Sequence, residues 1–139
     1  MTVLIDTNIL LDYLQNRPEY KDADTLITLC ADKKISGFIA AHSIPDMFYI
    51  MRKSYSEGER REMLLDIVEI VPVIAIDQKK ISEALKNTDF SDFEDCLQSE
   101  CALSAAADYI ITRNKDNFRQ SAVKAVTPAD FIRKLDSFL

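Results

Sequence analysis

A three-layer α/β/α fold around a mostly parallel central sheet of about five strands is the architecture this sequence predicts, on three observations. Short apolar runs of strand length alternate with longer segments of helical spacing along the whole chain. The runs carry no polar alternation, as expected of parallel strands covered by helices on both faces. Two Gly and four Pro in 139 residues leave little chain for long loops, and no repeat or low-complexity linker breaks the pattern, so residues 1–139 are expected to form one domain.

Val3-Leu4-Ile5 reads as the first strand, broken at Asp6, and Ile9 to Leu14 as a helix that ends near Arg17-Pro18. From Tyr20, the positions Ala23, Leu26, Ile27, Cys30 and Ala31 keep helical spacing. Gly37 to Ala41 is a second strand, and Ser43 opens a helix carrying Met47, Ile50 and Met51. Glu59 to Ile70 is an amphipathic helix, followed by the strand Val73 to Ile76. Helices around Ile81–Leu85 and from Ser91 to Ala107 lead to a fourth strand, Tyr109 to Thr112. Ala122 to Val126 reads as a fifth, and Pro128, a residue favoured in a first helical turn, opens the last helix.

Composition narrows the function classes. A hydrophobic fraction of 47% with 29% charged residues is that of a globular core-forming chain. No run of apolar residues is long enough to span a bilayer, and Met1 to Asp6 lacks the basic flank of a signal peptide, so a cytoplasmic location is expected. The three cysteines make neither a disulfide framework nor a CxxC metal pair, and are expected as core residues in a reducing compartment. A net charge of −6 argues against a protein that coats duplex DNA through its bulk field. It is compatible with an enzyme whose clustered acids hold cations.

In open parallel sheets, ligands bind beyond the carboxyl ends of the strands. Asp6 leaves the first strand, Asp46 lies on the first turn after the second, and Asn114 and Asp116 follow the fourth. Asp92 and Asp95, three apart on one helix face, start a helix that must run back antiparallel to the strands, which places them at the same rim. Each acid taken alone has a simpler reading as a helix cap: Asp6 before its helix, and Ser43…Asp46 and Ser91…Glu94 as capping boxes. Capping does not require that the capped ends share one rim, and Asp95 has no capping reason to be there. Asp77 reads as a cap, and Asp108, which precedes the fourth strand, belongs to the opposite rim.

Carboxylates held together repel unless a cation or a proton joins them. An all-oxygen set favours Mg²⁺ or Mn²⁺ over zinc, and the single histidine, His42, cannot complete a zinc site with these cysteines. Hydrolysis of a phosphodiester is the chemistry such a cluster suits best, since a divalent ion can activate water and neutralise charge on phosphorus.

Three blocks in order, Ile5-Asp6-Thr7-Asn8-Ile9-Leu10-Leu11-Asp12, Asp92-Phe93-Glu94-Asp95-Cys96-Leu97-Gln98 and Ala107-Asp108-Tyr109-Ile110-Ile111-Thr112-Arg113-Asn114, resemble the PIN-domain nucleases, as does the closing Thr127-Pro128-Ala129-Asp130-Phe131. The nearest group is the single-domain bacterial type that includes the VapC-like toxin ribonucleases. The resemblance implies a flavodoxin-like fold and a Mg²⁺- or Mn²⁺-dependent endoribonuclease, acting on single-stranded RNA or a structured loop. It assigns catalysis to Asp6, Asp46 and Asp95, and metal binding to these three with Asp92 and Asp116 as further ligands. Where many members have Thr-Arg-Asp, this chain has Thr112-Arg113-Asn114, so the site loses a charge; either Asp116 replaces it from two residues on, or a second metal binds weakly. Asn8, Thr112 and Asn114 are expected to orient the ligands or a water by hydrogen bonds. Arg17, Arg113 and Lys115, with Arg119, are candidates for holding RNA phosphates. An antitoxin protein that blocks the metal site, with an Arg reaching the carboxylates, is the implied partner. The helices after the first and second strands, with Tyr49 or Tyr55, are the candidate surface for a homodimer.

Two other phosphoryl-transfer patterns fit poorly. A haloacid-dehalogenase-like enzyme needs a second Asp where Asn8 stands, and a receiver domain needs an acidic pair beside Asp6. The alternative from a different class is a catalytically weak PIN-like module that binds RNA or protein, which Asn114 keeps open. Retained repelling acids argue against it.

Overall fold

Val3, Leu4 and Ile5 are fully buried, so β1 (Thr2–Ile5) must lie inside a sheet covered on both faces. In the computed structural model, which describes residues 1–18 and 20–137, β1 is the central strand of five. On one side stand β2 (Ser36–Ala40) and then β3 (Val73–Ile74); on the other stand β4 (Tyr109–Ile111) and then β5 (Ala125–Val126). Every pairing is parallel, with Leu4 opposite Phe38 on one side and Ile110 on the other. The first and fourth strands are therefore neighbours, the condition on which Asp6, Asn114 and Asp116 share one rim.

The two-residue period of the strands sorts the core into layers. Val3, Ile5, Ile39 and Ile111 face a cluster built with α1 (Thr7–Leu14), α2 (Tyr20–Ala31), α3 (Ser43–Ile50), α4 (Glu57–Ile70) and α7 (Pro128–Asp136). Leu4, Ala40 and Ile110 face the other way, against Cys101 and Ala102 of α6 (Phe93–Ser104). Helix α5 (Gln78–Lys86) packs on α6 through Ala84, Cys96 and Leu97. Gly37 lets α2 approach β2 closely: a Cβ there would meet Cys30 Sγ at 2.6 Å and Ile5 Cδ1 at 3.1 Å. All three cysteines are free and buried, and burial pushes the Cys30 and Cys101 thiols up to about 11.

Element boundaries depart from the sequence reading where caps and edges decide them. The outer strands β3 and β5 are shorter than expected, because each pairs on one side only and keeps just the residues that reach its neighbour. Helix α6 starts later and ends earlier than expected. Asp92 takes the cap at its start, and Ala106, at φ 52°, turns the chain out after Ser104, with Ala107 N–H donating to Ala102 O. The two capping boxes expected at Ser43 and Ser91 are absent, while a capping box not foreseen joins Ser56 and Glu59 at α4. Asp77 caps α5 through Lys80 N–H, and Asp108 accepts from Thr2 N–H at the rim opposite Asp6, as expected. No helix among the described residues is long and apolar enough to cross a membrane.

Candidate active site

Parallel pairing brings the exits of β1, β2 and β4 to one rim. Asp6, at the exit of the central strand, stands at the N-cap of α1, yet its carboxylate caps nothing. Thr112 Oγ1 donates to Asp6 Oδ2 at 2.8 Å, and Gln98 Nε2 donates to Oδ1 at 3.0 Å. Both donors are buried and come from other elements, Thr112 from the exit of β4 and Gln98 from α6. The capping explanation of Asp6 therefore fails. Three elements instead hold one buried carboxylate in a fixed orientation.

The same Gln98 amide reaches Asp95 Oδ1 at 3.4 Å, so it bridges the two acids. Asp95 sits in the first turn of α6, where its own N–H is held by Asp92 Oδ1 at 2.9 Å. Asp92, expected as an accessory ligand, thus serves as the α6 cap through one of its oxygens. Burial, then the nearby charges of Asp92 and Asp6, push the Asp95 carboxyl up to about 6, against hydrogen bonds from Asn117 and Gln98 that lower it. A carboxylate pair whose second member resists ionising is the electrostatic signature expected where a cation or proton belongs.

Asp46 is half-buried on the first turn of α3. Helix α3 is tied to the start of α1 by a 2.6 Å bond between Thr7 Oγ1 and Ser43 Oγ, which sets the first turn of α3 at the rim where α1 begins. The Ser43 hydroxyl makes this bond in place of the expected cap. Asn8, the next residue after Thr7, is exposed.

After β4 the chain enters a short 3₁₀ turn, Lys115–Phe118. Thr112 Oγ1 accepts from Asn114 N–H at 3.0 Å, so one hydroxyl fixes both Asp6 and the loop. Asp116 is exposed and pairs with Arg119, 3.1 Å away, while Asn117 of the same turn turns its side chain onto Asp95. Arg17 and Arg113 both reach Asp12, a fully buried carboxylate on α1, at 3.7 and 3.0 Å. Lys115 lies 3.9 Å from Asp130.

Gln98 and Asn117 are the site residues that sequence reading missed. Gln98 lies three residues after Asp95 on the same helical face, a spacing that was available as a signal; Asn117 has none.

Does this donor set fit a divalent ion? Among the described residues no group of three or more His, Cys, Asp or Glu side chains is gathered closely enough to enclose one. Mg²⁺ does not demand an all-protein cage, since it keeps several waters and binds through one or two carboxylates. Asp6 and Asp95 supply two, and Gln98 Oε1 beside them is a buried acceptor with no hydrogen-bond partner. An all-oxygen pair with an orphaned acceptor fits such an ion.

The PIN domain family model matches residues 2–116. The chain belongs to the PIN domain family. The matched span holds Asp6, Asp46, Asp92, Asp95, Thr112, Asn114 and Asp116, and leaves out Asn117, β5 and α7. No curated protein matches the chain in sequence. Among solved structures, this PIN domain is similar to VapBC2 from Rickettsia felis bound to a DNA fragment from its promoter, at 18% identity and a TM-score of 0.69, covering 91% of this chain and 98% of that one. It is similar to VapBC-1 from nontypeable Haemophilus influenzae, at 17% identity and 0.68, over 93% and 99% of the two chains. A toxin–antitoxin complex from Klebsiella pneumoniae matches at 21% identity and 0.68, over 91% and 97%. At these identities the likeness is one of fold, and it agrees with the five-stranded parallel sheet.

Proposed function

We propose that this PIN domain is a Mg²⁺- or Mn²⁺-dependent endoribonuclease, hydrolysing RNA phosphodiester bonds at Asp6, Asp46 and Asp95, and that it is the toxin of a cytoplasmic toxin–antitoxin pair. The observation that carries the reading is the hydrogen bonding of Asp6, which stands where a helix cap would and is instead held by Thr112 and bridged through Gln98 to Asp95. Nothing in helix capping or packing calls for that arrangement.

Asp6 and Asp95 would hold the ion, with Asp46 and the free oxygen of Asp92 completing its surroundings through water. When bound, the ion supplies a more acidic water and neutralises charge developing on the phosphate. The residues of the chain do the rest. Thr112 and Gln98 fix the two oxygens of Asp6, so the carboxylate cannot rotate when substrate arrives. Without the ion, burial and the charges of Asp92 and Asp6 push the Asp95 carboxyl up to about 6, and a bound cation would favour the carboxylate form that holds it. Asn117 and Gln98 keep that carboxyl oriented. Asn114, with its N–H on Thr112, adds a neutral amide where many relatives carry an acid.

The antitoxin rests on the VapBC and toxin–antitoxin structures whose fold this chain shares. A rim with several acids gives such a partner a simple means of inhibition, an Arg laid across Asp6 and Asp95. Of the two tyrosines considered for a homodimer, Tyr55 donates to Leu14 O, whereas Tyr49 is 61% exposed and remains the candidate contact.

The test is cleavage of labelled single-stranded RNA with Mn²⁺, Mg²⁺ or EDTA, comparing the natural chain with Asp6→Asn. Cutting should need the metal and disappear in the variant. Metal binding without cutting over varied RNAs would favour a binding module, and cutting that survives both EDTA and Asp6→Asn would sink the proposed site.

A further inference from the structure

The charge of this acidic chain is unevenly placed. Residues 113–134 hold six Lys and Arg against two Asp, while the remainder holds eleven against twenty-one Asp and Glu. Arg113 of that segment turns to Asp12, and the other five cations lie on or directly beside the turn, strand and helix that form the β5 edge. Two adjoining grooves run along this edge. One, of about 420 Å³, is lined by Lys115, Arg119 and Lys124; the other, of about 500 Å³, by Lys115, Lys124, Arg133 and Lys134. They share Lys115, Lys124 and Ala125, so they form one continuous track. Asp116 and Asp130 offset part of the charge through Arg119, Lys115 and Arg133, which leaves the track with a clear positive excess.

A lysine on an edge strand has a simpler use, since it discourages pairing with another sheet. That accounts at most for Lys124, the residue that leads into β5. It does not account for Arg119 after the turn, for Arg133 and Lys134 on α7, or for the grooves between them. The track also adjoins the candidate active site. The turn that contributes Lys115 and Phe118 to its wall carries Asn117, whose side chain meets Asp95.

We infer that the β5 edge is the path of the RNA strand, its phosphates carried by Lys115, Arg119, Lys124, Arg133 and Lys134 as the scissile bond reaches Asp6 and Asp95. The inference rests on the ribonuclease reading and deepens it. Grooves lined by spaced cations suit a single strand, whose phosphates are reached one at a time and whose affinity is salt-dependent. Much of the track lies beyond the matched family span, so it is a feature of this chain's own C-terminal part.

The experiment uses the full chain in EDTA, with a fluorescent 15-nucleotide single-stranded RNA of mixed sequence, and anisotropy read across a salt series. Lys124→Glu with Arg133→Glu should weaken binding by about tenfold or more and lower the log–log salt slope by about 1.4, two contacts at 0.7 each. Lys79→Glu with Lys86→Glu, on the helix that follows the opposite edge strand, should change neither. Circular dichroism checks that both variants fold. As a measurement independent of variants, RNA carrying 4-thiouridine should crosslink the natural chain within residues 115–134. Equal losses in both double variants would mean a bulk field and overturn the path, as would crosslinks confined elsewhere. Duplex DNA bound as tightly through the same residues would overturn the single-strand assignment. Metal-dependent cutting undisturbed by Lys124→Glu/Arg133→Glu would overturn the path and leave the nuclease standing. A natural chain that neither binds nor cuts RNA would overturn both.

Discussion

Thr112 has one hydroxyl and two duties, donating to Asp6 Oδ2 and accepting from Asn114 N–H. Thr112→Val keeps the shape and removes both bonds in a fully buried place, at an expected cost of about 2 kcal/mol in urea unfolding. RNA cleavage should fall by tenfold or more, and Thr112→Ser should recover most of both. Asp95 makes the opposite prediction. Its folded pKa, raised to about 6 by burial and by Asp92 and Asp6, means that the folded chain holds a proton the unfolded chain has released. Stability without metal therefore falls as pH rises from about 4 to about 6, and below that window both states are protonated and nothing is lost. Asp95→Asn should accordingly be more stable than the natural chain in EDTA at pH 7.5, by on the order of 1 kcal/mol once screening at this half-buried carboxyl is allowed for. The gain should vanish near pH 3.5 in denaturant titrations, while cleavage is lost at every pH. At this scale the acids themselves were readable, because strand exits and helix starts fix where a rim residue stands. Gln98 offered only its spacing from Asp95 on one helical face and Asn117 offered no signal, since an amide among acids carries no charge pattern of its own.

Helix ends carry the clearest structural compromises. Ala106 closes α6 at φ 52°, a left-handed conformation that costs a side chain about 1 kcal/mol or more and that glycine adopts freely. Ala106→Gly should raise stability by about 0.5–1 kcal/mol in thermal or urea unfolding and leave cleavage unchanged, because the cap lies at the end of α6 away from Asp95. Gly37 is the reverse case. With Cys30 Sγ 2.6 Å from where a Cβ would stand, Gly37→Ala must push α2 away from β2, at about 1–3 kcal/mol. The pattern that identified the elements, apolar period and breaker residues, reported their existence and order. It misplaced their ends by a few residues, because ends are set by which side chain wins a cap. At α6 that was Asp92, one position after the Ser91 that composition favours, and this shift gave Asp95 its N–H contact with Asp92.

Across the whole molecule, the alternation of strands and helices made a parallel sheet readable, while the order β3-β2-β1-β4-β5, with β1 beside β4, came only with the structure. What one dimension does not display is which distant charges a buried residue gathers. Arg17 and Arg113 read as phosphate holders near the rim, and Asp12 as one more polar position on α1; in three dimensions Asp12 is fully buried and draws both guanidinium groups, joining α1, the segment after it and the β4 exit. The partners are unequal in burial, since the arginine side chains are 31% and 38% exposed and Asp12 is not exposed at all. That inequality predicts an asymmetry. Asp12→Asn removes the buried charge and leaves arginines that water can still reach, so it should cost about 1–2 kcal/mol. Arg113→Met takes the nearer guanidinium from a buried carboxylate that keeps Arg17, and should cost about 3 kcal/mol. Combining the two removes the under-compensated charge, so the double variant should be more stable than Arg113→Met alone. Urea unfolding of the four proteins at one pH gives the cycle directly. A double variant no more stable than Arg113→Met would mean that Arg113 supports the loop by packing alone, and that the charge on Asp12 contributes nothing to holding the β4 exit beside Asp6.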